Sequence, residues 1–286
     1  MPLDQESGEP TGEAEMTFLD HLEELRWHVI RSVIALMVFT GFSFLIIKWV
    51  FNEIILGPAK ADFPTWRVLC KLGEVINNPD LCIKDIHLEL QSRSMTGQFS
   101  ITIISSIVLG LVMAFPYVIW ELWRFVKPGL KLKEQKGSRG VVSVISMLFG
   151  LGISFGYYVI SPLMVYILVN YKISDMIVNQ FDVTSYVSTL LTLVLGSGVL
   201  FQLPVVIYFL TKLGLVTPKF LRQYRKHAVV VILVVAAIIT PPDVLSQVLI
   251  TIPLYMLFEI SILISANVHR RKLKEEAEEE LNSQPS

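Results

Sequence analysis

Six long apolar stretches constrain the fold of this chain more than any other feature of its sequence. They cover residues 29–49, 99–123, 141–169, 188–211, 228–239 and 245–265, and Arg31, Lys48, Glu121 and Glu259 are their only charged residues. A helix needs ~20 mostly apolar residues to cross ~30 Å of hydrocarbon. All of the stretches except 228–239 are long enough. The sequence therefore predicts an all-α integral membrane protein and argues against a soluble enzyme or a nucleic-acid-binding protein.

The short fifth stretch leaves the number of membrane crossings open. As a helix, 228–239 would be ~18 Å long, which suits either a short span or a segment that dips into the membrane and returns. Pro241 and Pro242 break the chain directly after it, so the fifth and sixth stretches form a tight hairpin. The chain has six spans if the hairpin crosses and four if it does not. Either count places both termini on the same side.

The distribution of basic residues predicts which side that is. Of the 24 Lys and Arg residues, 17 lie in the segments on the side of the termini, and six of the other seven border or lie in one long loop. Short basic loops are retained in the cytoplasm, whereas long loops carry little weight. Residues 1–25 hold eight acidic residues and no basic residue, unlike a cleavable signal peptide. We therefore expect both termini in the cytoplasm and the first stretch to be a retained span.

Motifs for covalent catalysis are missing from the sequence. It has no G-x-x-x-x-G-K-[ST] loop and no H-E-x-x-H motif, and none of its five histidines lies in the middle of a stretch. Ser197 lacks a basic partner for proteolysis, so Gly196-Ser197-Gly198 is better interpreted as a close helix contact, as are Gly150, Gly152 and Gly156. We expect no enzymatic activity and no cofactor. A secondary transporter for a small solute remains the alternative to the function proposed below.

Acidic residues near the membrane are candidates for binding. On a helix, His21, Glu24 and His28 share one arc just before the first stretch. They are either solvated or form a carboxylate site for a basic partner. Glu134 is the lone acid in a basic segment, where a surface ion pair is the simpler interpretation. Glu121 and Glu259 lie near the ends of their stretches and are expected to reach the interface or a basic neighbour.

Two further groups of residues carry expectations of their own. Gln202 lies mid-stretch near Pro204, and an amide there should face protein or water. Cys70 and Cys82 share the long outer loop of about 53–97, where they either form a disulfide or stay free.

Four motifs, taken in order, resemble the TatC family, the core membrane subunit of the twin-arginine protein translocase. They are His21-Leu-Glu-Glu24-Leu-Arg26, Phe125-x-x-Pro128-x-Leu130, Phe201-x-x-Pro204 and Thr240-Pro-Pro-Asp243-Val-x-Ser-Gln247. The resemblance covers roughly 17–270, between an acidic tail (1–16) that we expect to be disordered and a charged tail (271–286). We expect disorder over 275–286 as well. The resemblance implies six spans in a concave, glove-like array in the bacterial inner membrane, with the last two spans short.

The resemblance also implies a function. Members bind signal peptides that carry paired arginines on folded cargo, and they nucleate export complexes driven by the proton-motive force. The implied partners are single-span TatA-type and TatB-type subunits, other TatC copies and the lipid bilayer, with no nucleic acid.

Site residues are carried over from the resemblance by matching motifs. The implied twin-arginine site contains Glu24, Glu134, Phe125, His21 and Arg26. The implied docking site for a partner subunit contains Gln202 and Pro204. The turn before the last span is implied to be structural, through Pro241, Pro242, Asp243 and Gln247. The family commonly has an acid at the position of Gln202, and an amide cannot titrate, so docking carries over to this chain and a proton relay does not.

Overall fold

The computed structural model describes residues 18–78, 82, 88–127, 140–174, 176, 179–239 and 244–283. Its helices are α1 (Phe18–Val50), α2 (Pro64–Ile76), α3 (Gly97–Val126), α4 (Val141–Phe155), α5 (Ser161–Asn170), α6 (Val183–Leu200), α7 (Leu203–Lys212), α8 (Pro218–Gln223), α9 (Arg225–Ile239) and α10 (Val244–Ser283). π-Helical turns at Phe51–Ile55 and Gly156–Ile160 follow α1 and α4. Two short strands, β1 (Leu90–Gln91) and β2 (Phe181–Asp182), pair in parallel.

The six apolar stretches correspond to α1, α3, α4 with α5, α6 with α7, α9, and α10. Among the described residues, five helical segments are long and apolar enough to span a membrane: Glu23–Ile76, Gly97–Val126, Val141–Asn170, Val183–Lys212 and Ile250–Lys274. Helix α9 has 15 residues, so it is roughly 22 Å long. The outer surface is apolar, with Leu45 82% and Ile238 76% exposed. The prediction of a polytopic helical membrane protein is confirmed.

Small residues bring the helices together. Helix α1 packs on α3, which also contacts α4 and α6, while α10 packs on α7 and α9. A Cβ atom added at Gly110 of α3 would lie 2.7 Å from the Thr40 Cα of α1. Gly152 and Gly156 lie equally close to α6, whereas Gly150 faces open space. The packing interpretation therefore holds for Gly152 and Gly156, and it is wrong for Gly150.

The two ends of the helical region differ from the sequence-based expectation. The amphipathic segment before the first span is not a separate helix, because α1 runs without a break from Phe18 to Val50. Helix α10 continues to Ser283, so the expected disorder over 275–286 is wrong for 275–283. Glu dominates that segment, and Glu, Ala and Leu favour helix formation. The acidic tail at 1–16 lies outside the described residues.

A folded cap covers the end of the bundle opposite the N-terminus of α1. The Tyr157 hydroxyl donates to the carbonyl of Ile54 at 2.8 Å, and the Tyr186 hydroxyl donates to that of Ile55 at 2.8 Å. Cys70 of α2 and Cys82 form a disulfide in the structure. The two tyrosine hydrogen bonds fix the segment after α1 against the π-helical turn at Gly156–Ile160 and against α6, and the disulfide crosslinks the loop itself.

Candidate functional site

Near the N-terminal end of α1, a buried acid joins α1 to α3. The Nδ1 atom of His28 lies 2.5 Å from Oε2 of Glu121, and the two residues are 8% and 1% exposed. The Tyr117 hydroxyl donates to Oε1 of Glu121 at 3.1 Å. Arg124 lies 3.8 Å from the same oxygen. Both carboxylate oxygens of Glu121 are therefore occupied, as a buried charge requires.

Glu24 lies one helical turn before His28, on the same side of α1. Its residue is half-buried, and its Oε2 atom is buried without a hydrogen-bond partner among the described residues. The His28 ring in turn meets the Phe125 ring edge-on, with centroids 6.2 Å apart. A buried carboxylate oxygen without a donor is costly, so this acid is suited to a cationic ligand.

The other residues predicted for this site lie around Glu24 or outside the described chain. Arg26 is exposed, and its position two residues after Glu24 places it on a different face of α1. The backbone of His21 belongs to α1, one turn before Glu24, but its side chain lies outside the described part. Glu134 lies in the undescribed segment 128–139. The structure therefore brings together Glu24 and, through His28, Phe125.

Gln202 lies at a break in the fourth span. It is the residue before α7, and Pro204 occupies the first turn of that helix, where its missing N–H costs nothing. The Gln202 Nε2 atom donates to the carbonyl of Ile145 in α4 at 3.2 Å. Its Oε1 atom is buried without a partner among the described residues. The amide thus faces protein, as expected, and keeps one free acceptor.

An apolar cavity of about 320 Å³ lies between α4, α7 and α10. Pro204, Tyr208 and Ile264 are among the residues that line it. Ile145, which accepts the hydrogen bond from Gln202, lines it as well. The break at Gln202 is therefore next to space between helices.

The hairpin of α9 and α10 is held at both ends. The Gln247 Nε2 atom donates to the Leu233 carbonyl at 3.0 Å. Near the other end, Arg225 contacts Glu259 at 2.7 Å, and the Tyr255 hydroxyl donates to Glu259 at 2.9 Å. The predicted turn residues Pro241, Pro242 and Asp243 lie outside the described residues.

The pairing of His28 with Glu121 is the feature that sequence reasoning missed. Glu121 and Glu259 are expected to reach the interface or a basic neighbour, and the structure gives each a basic neighbour, His28 and Arg225. His28 directly precedes the first apolar stretch and Glu121 lies near the end of the second, so both are expected at the same membrane surface. That shared level is the sequence signal that could have paired them. Within the described part of the chain, no group of three or more His, Cys, Asp or Glu residues could hold a metal ion.

Comparison with known proteins identifies the family. The family model for TatC, the Sec-independent protein translocase protein, matches residues 20–253. The chain is 38% identical over 260 residues to the Blattabacterium protein named Sec-independent protein translocase protein TatC, covering 90% of this chain and 98% of that protein. It is 34% identical over 264 residues to TatCy of Bacillus subtilis, covering 92% and 94%.

A solved structure agrees with these relatives. The crystal structure of the twin-arginine translocase receptor TatC in DDM superposes with a TM-score of 0.69 at 33% identity, covering 86% of this chain and 99% of that one. The range that the family model matches, 20–253, includes the α1–α3 junction and the break at Gln202. The chain belongs to the TatC family of Sec-independent protein translocase proteins, and it is a multi-pass membrane component of a translocase rather than an enzyme.

Proposed function

We propose that this chain binds twin-arginine signal peptides of folded proteins at the face that carries Glu24, and that it nucleates export complexes driven by the proton-motive force. The observation that carries the proposal is the buried Oε2 atom of Glu24, which has no hydrogen-bond donor among the described residues. Glu121, the neighbouring acid, already holds His28, Tyr117 and Arg124. Glu24 is therefore the acid that remains available to a ligand.

The chemistry of the guanidinium group explains why arginine would be chosen. A carboxylate accepts two parallel hydrogen bonds from an arginine, and each charge-assisted bond contributes about 1.5–3 kcal/mol. Lysine presents a point charge without this fork geometry, so it is a poorer ligand for the same site. A half-buried carboxylate strengthens the preference because solvent competes less for its oxygens.

Glu134 is proposed to bind the second arginine. It follows Phe125 by nine residues, and Phe125 lies at the end of α3 beside His28. A segment of that length can reach back to Glu24. His21 is one turn from Glu24 and can extend the polar face, while the exposed Arg26 is placed to contact acidic groups of the peptide or the lipid surface.

The test is peptide binding by purified variants. We expect Glu24→Ala and Glu134→Ala each to weaken binding of a twin-arginine peptide by at least about tenfold, the loss of one charge-assisted bond. Glu23→Ala is the matched control, because Glu23 is the adjacent acid and is exposed. Added salt should weaken the native interaction. Unchanged binding by the double variant would rule out this assignment.

Gln202 and Pro204 are proposed to dock a TatA-type or TatB-type helix, with further TatC copies completing the complex. The buried Oε1 atom of Gln202 can accept a hydrogen bond from a polar residue of the partner, while Nε2 stays on Ile145. We expect Gln202→Leu to weaken assembly, whereas Gln202→Glu remains functional because a protonated carboxyl keeps one donor and one acceptor. Photocrosslinking from position 202 tests this, and unchanged assembly by Gln202→Leu would contradict it.

The proposed location is the bacterial inner membrane, with both termini in the cytoplasm. The excess of Lys and Arg on the side of the termini supports this orientation. Labelling of single introduced cysteines near residues 140 and 216 by a membrane-impermeant reagent should fail in intact cells and succeed after lysis. Labelling in intact cells would reverse the orientation.

A further inference from the structure

Helix α2 exposes an apolar stripe on the side of the membrane opposite the N-terminus of α1. Its 13 residues form a helix of ~20 Å in the loop between the first two spans. The stripe consists of four side chains at helical spacing, Val68 (57% exposed), Leu72 (48%), Val75 (83%) and Ile76 (67%). Such a stripe is unfavourable in water and indicates a surface that is covered by something apolar.

The other two sides of α2 are accounted for. Trp66, 1% exposed, and Gly73 face the protein, and the Trp66 ring lies 5.8 Å from that of Tyr166. At ~100° per residue, Arg67, Lys71 and Glu74 form a separate polar stripe, and all three are exposed. The helix therefore has one side on the protein, one polar side and one apolar side. A helix in the plane of a membrane surface has this division of its polar and apolar sides.

The contacts of α2 with the third span show the level at which α2 lies relative to the hydrocarbon. The Phe63 ring, at the start of α2, stacks on Tyr158 with centroids 5.7 Å apart, and the Thr65 hydroxyl donates to the Tyr158 carbonyl. Counted from Val141, the ~20 residues needed to cross the hydrocarbon end near Ile160. Helix α5 continues for ten residues beyond that point, to Asn170. Helix α2 thus begins level with the edge of the hydrocarbon, well short of the end of the third span.

Aromatic residues mark the same level. Trp49, at the end of the first span, is 60% exposed, and Tyr158 is 47% exposed. Exposed Trp and Tyr side chains are typical of the membrane–water interface. Leu45, one turn before Trp49, is 82% exposed on the lipid-facing surface of α1. The apolar stripe of α2 therefore follows directly in the chain from a surface that faces lipid.

We propose that α2 is an interfacial helix that rests its Val68, Leu72, Val75 and Ile76 stripe in the lipid leaflet opposite the N-terminus. Arg67 and Lys71 border the water-facing side and are placed to contact lipid phosphates. Asp62 lies 3.6 Å from Arg67, which leaves Lys71 as the more available cation. The cap is then held by lipid on one side and by the contact of Trp66 with Tyr166 on the other, and the Cys70–Cys82 disulfide crosslinks the loop itself.

Quenching of introduced tryptophans by brominated lipid tests this proposal. Leu72→Trp and Val75→Trp place the probe on the apolar stripe, and Glu74→Trp is the matched control on the polar stripe of the same helix. Each variant is reconstituted at native length in phosphatidylcholine vesicles with and without brominated acyl chains. The emission of the parent, which has five tryptophans, is subtracted. Thermal unfolding in detergent verifies that each variant is folded.

We expect the added emission at positions 72 and 75 to be blue-shifted and to be quenched roughly twofold more strongly, or more, than that at position 74, because acyl chains contact only the apolar stripe. Equal quenching of the two sets would overturn the proposal. A blue shift at 72 and 75 without quenching, growing with the protein-to-lipid ratio, would also overturn it, since a second copy of the chain would then cover the stripe.

Discussion

The α1–α3 pair and the α9–α10 pair contain the same arrangement of side chains near the ends of their spans, but the two arrangements differ in burial. In both, a tyrosine four residues before a glutamate donates to its carboxylate: Tyr117 to Glu121, and Tyr255 to Glu259. In both, the glutamate also binds a base on the preceding helix of the pair. This repetition indicates that a tyrosine and a base together stabilise an acid near a membrane surface.

The difference lies in burial and in the neighbouring acid. The Glu121 side chain is 1% exposed, whereas that of Glu259 is 32% exposed and shares its surface with Arg225. One turn from His28, Glu24 adds a second acid, with a buried oxygen that has no hydrogen-bond partner among the described residues. At the α1–α3 pair, one acid therefore stabilises the helix contact, and the other is the acid that we propose binds the signal peptide. At the α9–α10 pair, Glu259 has a structural role.

The largest effect should come from removing the buried acid. We expect Glu121→Leu to lower the free energy of unfolding by about 3–5 kcal/mol, because it leaves His28 buried without its partner. Chemical unfolding in detergent measures the change. Glu259→Leu is the control and should cost less. A double variant, His28→Leu with Glu121→Leu, should recover much of the loss, and no recovery would show that the pair is not the source of the effect.

The adjacent acid should behave in the opposite way. We expect Glu24→Leu to raise the free energy of unfolding by about 1–2 kcal/mol, since it removes a buried oxygen that has no donor among the described residues. The same variant should lose affinity for a twin-arginine peptide. Glu23→Leu, on an exposed position, should change neither quantity. A clear loss of stability in Glu24→Leu would mean that its carboxylate has a structural role.

How far the sequence predicts these features depends on what determines them. Hydrophobic length determines the spans, so the apolar stretches mark them well, and even the short α9 appears where 228–239 predicts a helix. The partner of Glu121 depends on how α1 crosses α3, which is set by the close contact of Gly110 with Thr40 and not by local pattern. The sequence pattern also does not predict which side of α1 packs against the protein. Val29, the first residue of the first apolar stretch, is 51% exposed while His28 is buried, because lipid rather than protein covers that side of α1.

A substitution in the hairpin of α9 and α10 should change the free energy of unfolding less. We expect Gln247→Leu to cost about 1 kcal/mol, because it removes the hydrogen bond to the Leu233 carbonyl that joins α10 to α9. Hydrogen exchange should increase in α9 and stay unchanged in α1 and α3. Thr251→Val is a suitable control, since the Thr251 hydroxyl bonds within its own helix to the Gln247 carbonyl. Equal exchange in both variants would remove the proposed role of Gln247 in holding the hairpin.

The smallest effect should come from the exposed ion pair. Arg225 and Glu259 have side chains that are 45% and 32% exposed, so solvent and salt screen their attraction. We expect Arg225→Gln to lower the free energy of unfolding by less than about 1 kcal/mol, with the difference shrinking as salt is added. Loss of the pair still leaves Glu259 its bond from Tyr255. A cost as large as that of Glu121→Leu, unaffected by salt, would mean that membrane burial rather than exposure controls both pairs and that the two helix junctions are equivalent.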